Sequence, residues 1–216
     1  MNIIIFGPQG CGKGTQADIL AEKYGLHHLS MGDALRSEIK KKSTLGKKVE
    51  KIVNAGKLVP HQVTDEIASK VISKYKTGVI FDGYPRNNEQ LKYLDSNISM
   101  HLAIEISLPK KESIRRISAR RMCPKCGKNY NLIWTKPKKS GMCDVCGSHL
   151  MQRIDDKPLE IQRRLEIYKK DTEPLKKYYK KLGILHIIDG NQSIQKVARD
   201  IASIITNYFA KSKTLS

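Results

Sequence analysis

The stretch Ile3-Ile4-Ile5-Phe6-Gly7-Pro8-Gln9-Gly10-Cys11-Gly12-Lys13-Gly14-Thr15 decides the fold. Its first four residues are β-branched or aromatic and apolar at odd and even positions alike, the pattern of a short strand buried on both faces. Gly7 stops the run, and a turn of the form GxxxxGK leads into a helical pattern at Lys13. Glycines let the backbone wrap an anion with successive N–H groups pointing inward, and the helix N-terminus adds its partial positive charge. Lys13 reaches outer phosphates as a point charge. The general pattern has Ser or Thr directly after the lysine; here Gly14 intervenes and the hydroxyl comes one residue later, at Thr15. Cys11 reads as a small loop residue, neither ligand nor nucleophile.

Outward from this loop, short apolar runs recur at Val79–Phe81, Leu102–Ile106 and Ile184–Ile188, with a weaker one at His28–Leu29. Helical patterns cover 13–24, 33–42, 45–55, 62–75, 87–95, 110–121, 157–181 and 194–210. Strand alternating with helix predicts an α/β fold, a doubly wound parallel sheet of about five strands with helices on both faces. Two segments break the alternation. Residues 30–59 hold helices with no strand between them, and residues 120–156 are glycine- and cysteine-rich with little helical period. Both read as insertions into one core made of 1–29, 60–119 and 157–216.

The 216 residues suffice for a core without disulfide staples. No apolar run approaches the ~18 residues of a membrane span. The N-terminal apolar stretch is too short for a signal peptide and has no basic region ahead of it, so the cytoplasm is the expected compartment. Forty Lys and Arg against 21 Asp and Glu leave a charge of +19, which concentrates polyanions near the surface. The lysines are scattered, and most of them read as a solvated face.

Four of the five cysteines, Cys123, Cys126, Cys143 and Cys146, form C-x2-C-x16-C-x2-C. That spacing fits a four-thiolate zinc site, with iron or a redox pair as the alternatives. The 37 residues of segment 120–156 cannot build a core alone, so a closed, structural zinc is expected to hold them together.

With these motifs in order, the chain resembles adenylate kinases, nucleoside monophosphate kinases of the P-loop class, in their long-lid, zinc-binding form. The resemblance rests on GxxGxGKGT at Gly7–Thr15, Ser30-x-Gly32-Asp33-x-x-Arg36, Gly56-Lys57-Leu58-Val59 and Asp82-Gly83-Tyr84-Pro85-Arg86. It continues through Arg116, Arg120-Arg121, Arg153-x-Asp155-Asp156 and Arg164-Leu165-x-x-Tyr168. It covers residues 1 to about 205. The resemblance implies reversible conversion of MgATP and AMP into two ADP. It makes 30–59 the monophosphate-binding insertion and 120–156 the lid. It implies a catalytic set of Lys13, Asp82, Arg86, Arg120, Arg153 and Arg164, with Asp82 holding Mg²⁺ through its water shell. ATP is implied at Gly10, Cys11, Gly12, Lys13, Gly14, Thr15, Arg116, Arg120, Asn129, Tyr130 and Gln192. AMP is implied at Met31, Arg36, Lys57, Leu58, Val59, Gly83, Tyr84, Pro85, Arg86, Gln90, Arg153 and Arg164. Asp155 and Asp156 would organise the lid arginines. A monomer acting on small nucleotides, with no membrane and no specific nucleic-acid partner, is the expectation.

The sequence departs from the family where Met31 stands in place of the usual threonine and His61 in place of a common aspartate. Loss of the threonine hydroxyl at position 31 removes one contact to the AMP base, about 0.5–1.5 kcal/mol. Another nucleoside monophosphate kinase therefore remains an alternative. A nucleic-acid-binding zinc ribbon with ATPase activity is a second, disfavoured by aromatic residues at only 6%.

Overall fold

A computed structural model describes residues 1–75 and 77–213 of the chain. Its centre is a five-stranded, all-parallel sheet formed by β1 (Ile3–Phe6), β2 (His27–Ser30), β3 (Val79–Asp82), β4 (Leu102–Ser107) and β7 (Leu185–Asp189), in the order β2-β3-β1-β4-β7. Ile4 lies in register with Phe81 on one side and Ala103 on the other. Two more strands, β5 (Arg120–Met122) and β6 (Asn129–Asn131), pair antiparallel outside the sheet.

The unbroken apolar run of β1 splits by parity. Ile3 and Ile5 join a core with Ala17 and Leu20 of helix α1 (Lys13–Tyr24) and Val197, Ile201 and Ile205 of α9 (Ile194–Lys213). Ile4 and Phe6 join the opposite core with Ala68 of α4 (His61–Lys74), Leu91 and Leu94 of α5 (Asn88–Asn97), and Tyr179 of α8 (Leu175–Lys181). At roughly 1.5–3 kcal/mol for each fully buried large apolar side chain, these four residues hold both layers to the central strand. Among the described residues no helix is long and apolar enough to cross a membrane.

Several boundaries differ from the sequence reading, and three of the differences have a local reason. Helix α2 (Met31–Lys40) begins two residues earlier than the pattern suggests, because the Ser30 hydroxyl accepts the Asp33 N–H and caps it. Helix α6 (Lys110–Ser118) ends before Arg120, which the β5–β6 hairpin recruits. The long pattern over 157–181 is two helices, α7 (Pro158–Ile167) and α8, separated by a π-turn at Tyr168–Thr172 and by Pro174, which has no N–H to continue the ladder. Helix α3 (Thr44–Asn54) packs on α2 and completes the strandless segment after β2.

Candidate functional site

Parallel sheets present their ligand sites at the carboxyl ends of the strands. Here the loops after β1, β2 and β3 all open at that end. Gly7, Gly10 and Gly12 take positive φ (147°, 82° and 98°), the curvature that folds the loop into a cup. Helix α1 starts at Lys13 with no side-chain cap and no acid in its first turn, so its leading amides are left for an anion. The Lys13 ammonium folds over the loop, donating to the carbonyls of Gly7 (2.8 Å) and Pro8 (3.0 Å). Burial pushes the Cys11 thiol up, which keeps it protonated and inert inside the cup.

Asp82 ends β3 beside this helix. A Cβ at position 14 would sit 3.3 Å from Asp82 Oδ2. Gly14 therefore leaves room for the carboxylate over the first turn of α1, which accounts for the glycine between Lys13 and the hydroxyl of Thr15. A carboxylate in this place suits a hydrated Mg²⁺ carried by a bound nucleotide.

The second half of the site is a cavity between α2, α3, the 56–59 loop, α4, the 83–90 segment and α7. Met31, Arg36, Lys57, Leu58, Val59, Gly83, Arg86, Gln90 and Arg164 line it, together with Gln9, Thr64 and Asp155, which the sequence reading did not assign to it. Three guanidinium groups thus line one hollow. Arg36 Nη2 lies 2.6 Å from Asp33 Oδ1. Arg86 donates from Nε to the Gly83 carbonyl (2.7 Å), and burial, then the charges of Arg164 and Arg36, pulls it down to about 10. Arg164 is also pulled below its ordinary value, by burial and then by Arg120, although it pairs with Asp155 and Asp156 at 2.9 Å. Buried cations gathered in one hollow suit a multiply charged anion such as a phosphate.

Gln90 is 2% exposed, and its Oε1 accepts the Arg86 N–H (2.7 Å) while Nε2 donates to Thr64 Oγ1 (3.0 Å). One lone pair and one N–H remain for a base. Tyr84 and Pro85, also expected at this site, are not among the lining residues. The Tyr84 ring is in the core, its hydroxyl donating to Asp65 (2.6 Å), so it supports the loop from beneath.

Met31 is 2% exposed and serves two surfaces, the cavity wall and the core beside Leu29 and Leu35. Met31→Thr is therefore expected to tighten AMP binding three- to tenfold while lowering stability by about 1–3 kcal/mol through the void it leaves. Calorimetric titration and thermal melting separate the two effects. Unchanged AMP affinity would show that position 31 does not read the base.

The base of segment 120–156 gathers the other candidate arginines. Asp156, 1% exposed, takes both nitrogens of a fork from Arg120 (Nε at 2.7 Å) and also accepts Arg164, so one carboxylate aligns two guanidinium groups. Burial opposes its charge, but Arg120 and then Arg164 hold its carboxyl below the usual range. Arg153 bonds Asn129 Oδ1 through Nη2, while its buried Nε has no partner among the described residues. Burial, then Arg120 and Arg36, pulls Arg153 down to about 9. Arg116 is fixed by Glu112 Oε1 (2.7 Å) and the Gly190 carbonyl (2.9 Å), with its Cζ 5.3 Å from the centre of the Trp134 ring. Glu112 and Trp134 were not picked out as site residues, though Glu112 stands four residues before Arg116, the spacing of a helical ion pair. Gln192 spends its amide on the Asp189 carbonyl (2.8 Å) and Asp200 (3.1 Å). Tyr130 turns its hydroxyl inward, accepting the Asp144 N–H (2.8 Å) beside Cys143 Sγ (3.5 Å). Its ring belongs to the small core around the cysteines, and its backbone pairs with Arg121 in the β5–β6 hairpin.

The two Cys-x-x-Cys turns repeat one geometry. Gly127 N–H donates to the Cys123 carbonyl (3.0 Å) and Gly147 N–H to the Cys143 carbonyl (2.9 Å). The four sulfurs lie within 4.8 Å of one another, with Cys123–Cys146 at 3.4 Å and Cys126–Cys143 at 3.5 Å, and none is in a disulfide. A tetrahedral zinc with bonds of ~2.3 Å sets sulfur separations of about 3.8 Å, so this donor set fits a closed zinc centre.

The family model for adenylate kinase matches residues 5–184. Over 210 residues the chain is 42% identical to an adenylate kinase of Pyrococcus abyssi, covering 95% of this chain and 96% of the relative. It is 43% identical over 212 residues to one from Thermosipho melanesiensis (95% and 99% covered) and 41% identical over 212 residues to one from Archaeoglobus fulgidus (95% and 98%). A phosphate loop facing an arginine-lined cavity across one sheet edge, together with this likeness along nearly the whole sequence, means that the chain belongs to the adenylate kinase family.

Proposed function

We propose that the chain transfers the γ-phosphoryl group of MgATP to AMP, reversibly, giving two ADP. The observation that carries this reading is the pair of anion seats at one sheet edge, one made of main-chain amides and Lys13, the other of Arg36, Arg86 and Arg164. Phosphoryl transfer needs in-line placement of donor and acceptor and compensation of charge more than it needs covalent chemistry. Lys13 and the loop amides hold the donor phosphates. Asp82 holds the water shell of the Mg²⁺ that accompanies ATP and offsets charge on its phosphates. Arg36 and Arg86 hold the AMP phosphate. Arg120, Arg153 and Arg164, aligned through Asp156, surround the group in transit.

In the same reading, 30–59 and 120–156 are the parts that close over AMP and ATP, carried by a core of 1–29, 60–119 and 157–216. Arg116 and Gln192 flank the ATP base, and Gln90 with Met31 reads the AMP base. The proposed enzyme is a monomer acting on soluble nucleotides in the cytoplasm, with no specific nucleic-acid or membrane partner. Supplying ATP and Mg²⁺ with AMP, dAMP, GMP, CMP or UMP in turn tests the reading. Diphosphate forms fastest with AMP, and faster formation from a different monophosphate would reassign the acceptor.

A further inference from the structure

The helix that carries Arg164 does not run smoothly into α8. At the π-turn over Tyr168–Thr172, the Glu173 N–H donates to the Tyr168 carbonyl five residues back (2.8 Å). A threonine inside an α-helix commonly returns its hydroxyl to the carbonyl four residues earlier, which for Thr172 is this same Tyr168 carbonyl. The Thr172 hydroxyl crosses instead to the carbonyl of Arg86, at 2.8 Å, and the residue is 5% exposed.

Arg86 is thereby held on both sides of its Cα. Its N–H donates to Gln90 Oε1 (2.7 Å) and its carbonyl accepts from Thr172. The turn is itself anchored to the central sheet. Tyr168 Oη (3.2 Å) and Lys176 Nζ (3.1 Å) both donate to Oε1 of Glu105, a residue of β4 that is 4% exposed. Such a restraint has a use here, because Arg86 and Arg164 line one cavity and repel each other until an anion arrives. A loop free to move would swing Arg86 away.

We infer that Thr172 is a positioning residue for Arg86, and that the π-turn fixes the spacing of Arg86 and Arg164 before the monophosphate binds. The inference rests on the proposed AMP site. Pre-set geometry contributes to binding by removing the ordering cost, and a single lost hydrogen bond corresponds to a few-fold to tenfold effect.

Thr172→Val keeps the branched shape and removes the hydroxyl. The expected result is a three- to tenfold rise in KM for AMP and in the Kd for AMP by calorimetry. KM for ATP stays within twofold, and Thr172→Ser restores the wild-type values. Thr172→Ala removes the same hydroxyl and serves if the valine variant does not fold. An equal rise in both KM values, unchanged AMP affinity, or failure of serine to restore it would each overturn the inference. Wild-type protein that binds no AMP would instead remove the functional reading on which it stands.

Discussion

Arg86→Ala lowers kcat/KM for AMP by about a thousandfold while leaving the empty protein as stable as before, to within about 1 kcal/mol. The loss follows from burial. A guanidinium fork on a phosphate in a partly desolvated site is a charge-assisted, two-point contact, and removing one member of such a pair costs about 3–5 kcal/mol. At 1.4 kcal/mol per factor of ten, the middle of that range is a thousandfold. The unchanged stability follows from the same electrostatics seen without ligand. Burial, then Arg164 and Arg36, pulls Arg86 down to about 10. At neutral pH the group is protonated in both the folded and the unfolded chain, so this displacement is a cost to the empty fold, relieved when the charge is removed. The lost bond from Nε to the Gly83 carbonyl offsets part of that relief. Arg86→Lys keeps the charge but not the fork, and falls between the two. Steady-state kinetics at varied AMP and thermal melting of the apo protein decide the matter. A loss below tenfold would mean that Arg86 does not hold the acceptor phosphate.

The fold was legible because its decisive stretch is nearly free of conflict. The runs around Ile4 and Phe81 are apolar throughout, and the run around Ala103 is broken only by Glu105, the pattern of short strands buried on both faces. The phosphate loop was legible for the opposite reason, since its glycines serve backbone curvature and its lysine sits at a fixed offset from them. What periodicity could not give is the break in the long pattern over 157–181. Leu165, Tyr168, Leu175 and Tyr179 all stay buried across the π-turn, so the apolar spacing reads as one helix while the backbone gains a residue.

The arginines divide in the same way. Arg36 and Arg86 follow local motifs, so their neighbourhood is written nearby in the chain. The pairing of Arg120 with Asp156 spans 36 residues, and its geometry depends on the lid folding back on itself. No spacing rule reaches that far. The inward turn of Tyr130 was hidden likewise, because a tyrosine after a knuckle suits a ligand contact or a small core, and only the position of Cys143 decides between them. Trp134, 45% exposed, gave no apolar pattern to read, yet it lies against the guanidinium of Arg116.

Cys143→Ser abolishes metal binding and lowers kcat by at least a hundredfold, with the core still folded. Purified wild-type protein is expected to carry close to one zinc per chain. The reasoning begins with size. Apart from its cysteines, the lid's small core contains little more than Tyr130, which is 6% exposed, and the partly buried Leu150. Roughly 1.5–3 kcal/mol for each cannot offset about 1–2 kcal/mol of backbone entropy per residue over so long a segment. A structural zinc supplies about 10–16 kcal/mol in small domains, enough to change the sign. The sheet and both of its cores lie outside the segment, so circular dichroism retains most of its signal and the melt splits or broadens instead of vanishing. Activity is expected to fall because segment 120–156 carries two of the arginines proposed to surround the group in transit. Arg120 begins β5, Arg153 bonds to Asn129 just beyond the first knuckle, and Asp156 closes the segment. Unfolding the knuckles releases all three and admits water to the phosphates. Stripping the metal with a chelator gives the same loss, and added Zn²⁺ restores wild-type protein but not the serine variant. Full activity in metal-free protein, or a Cys143→Ser variant that melts and turns over like wild type, would mean the four thiols do not hold the lid.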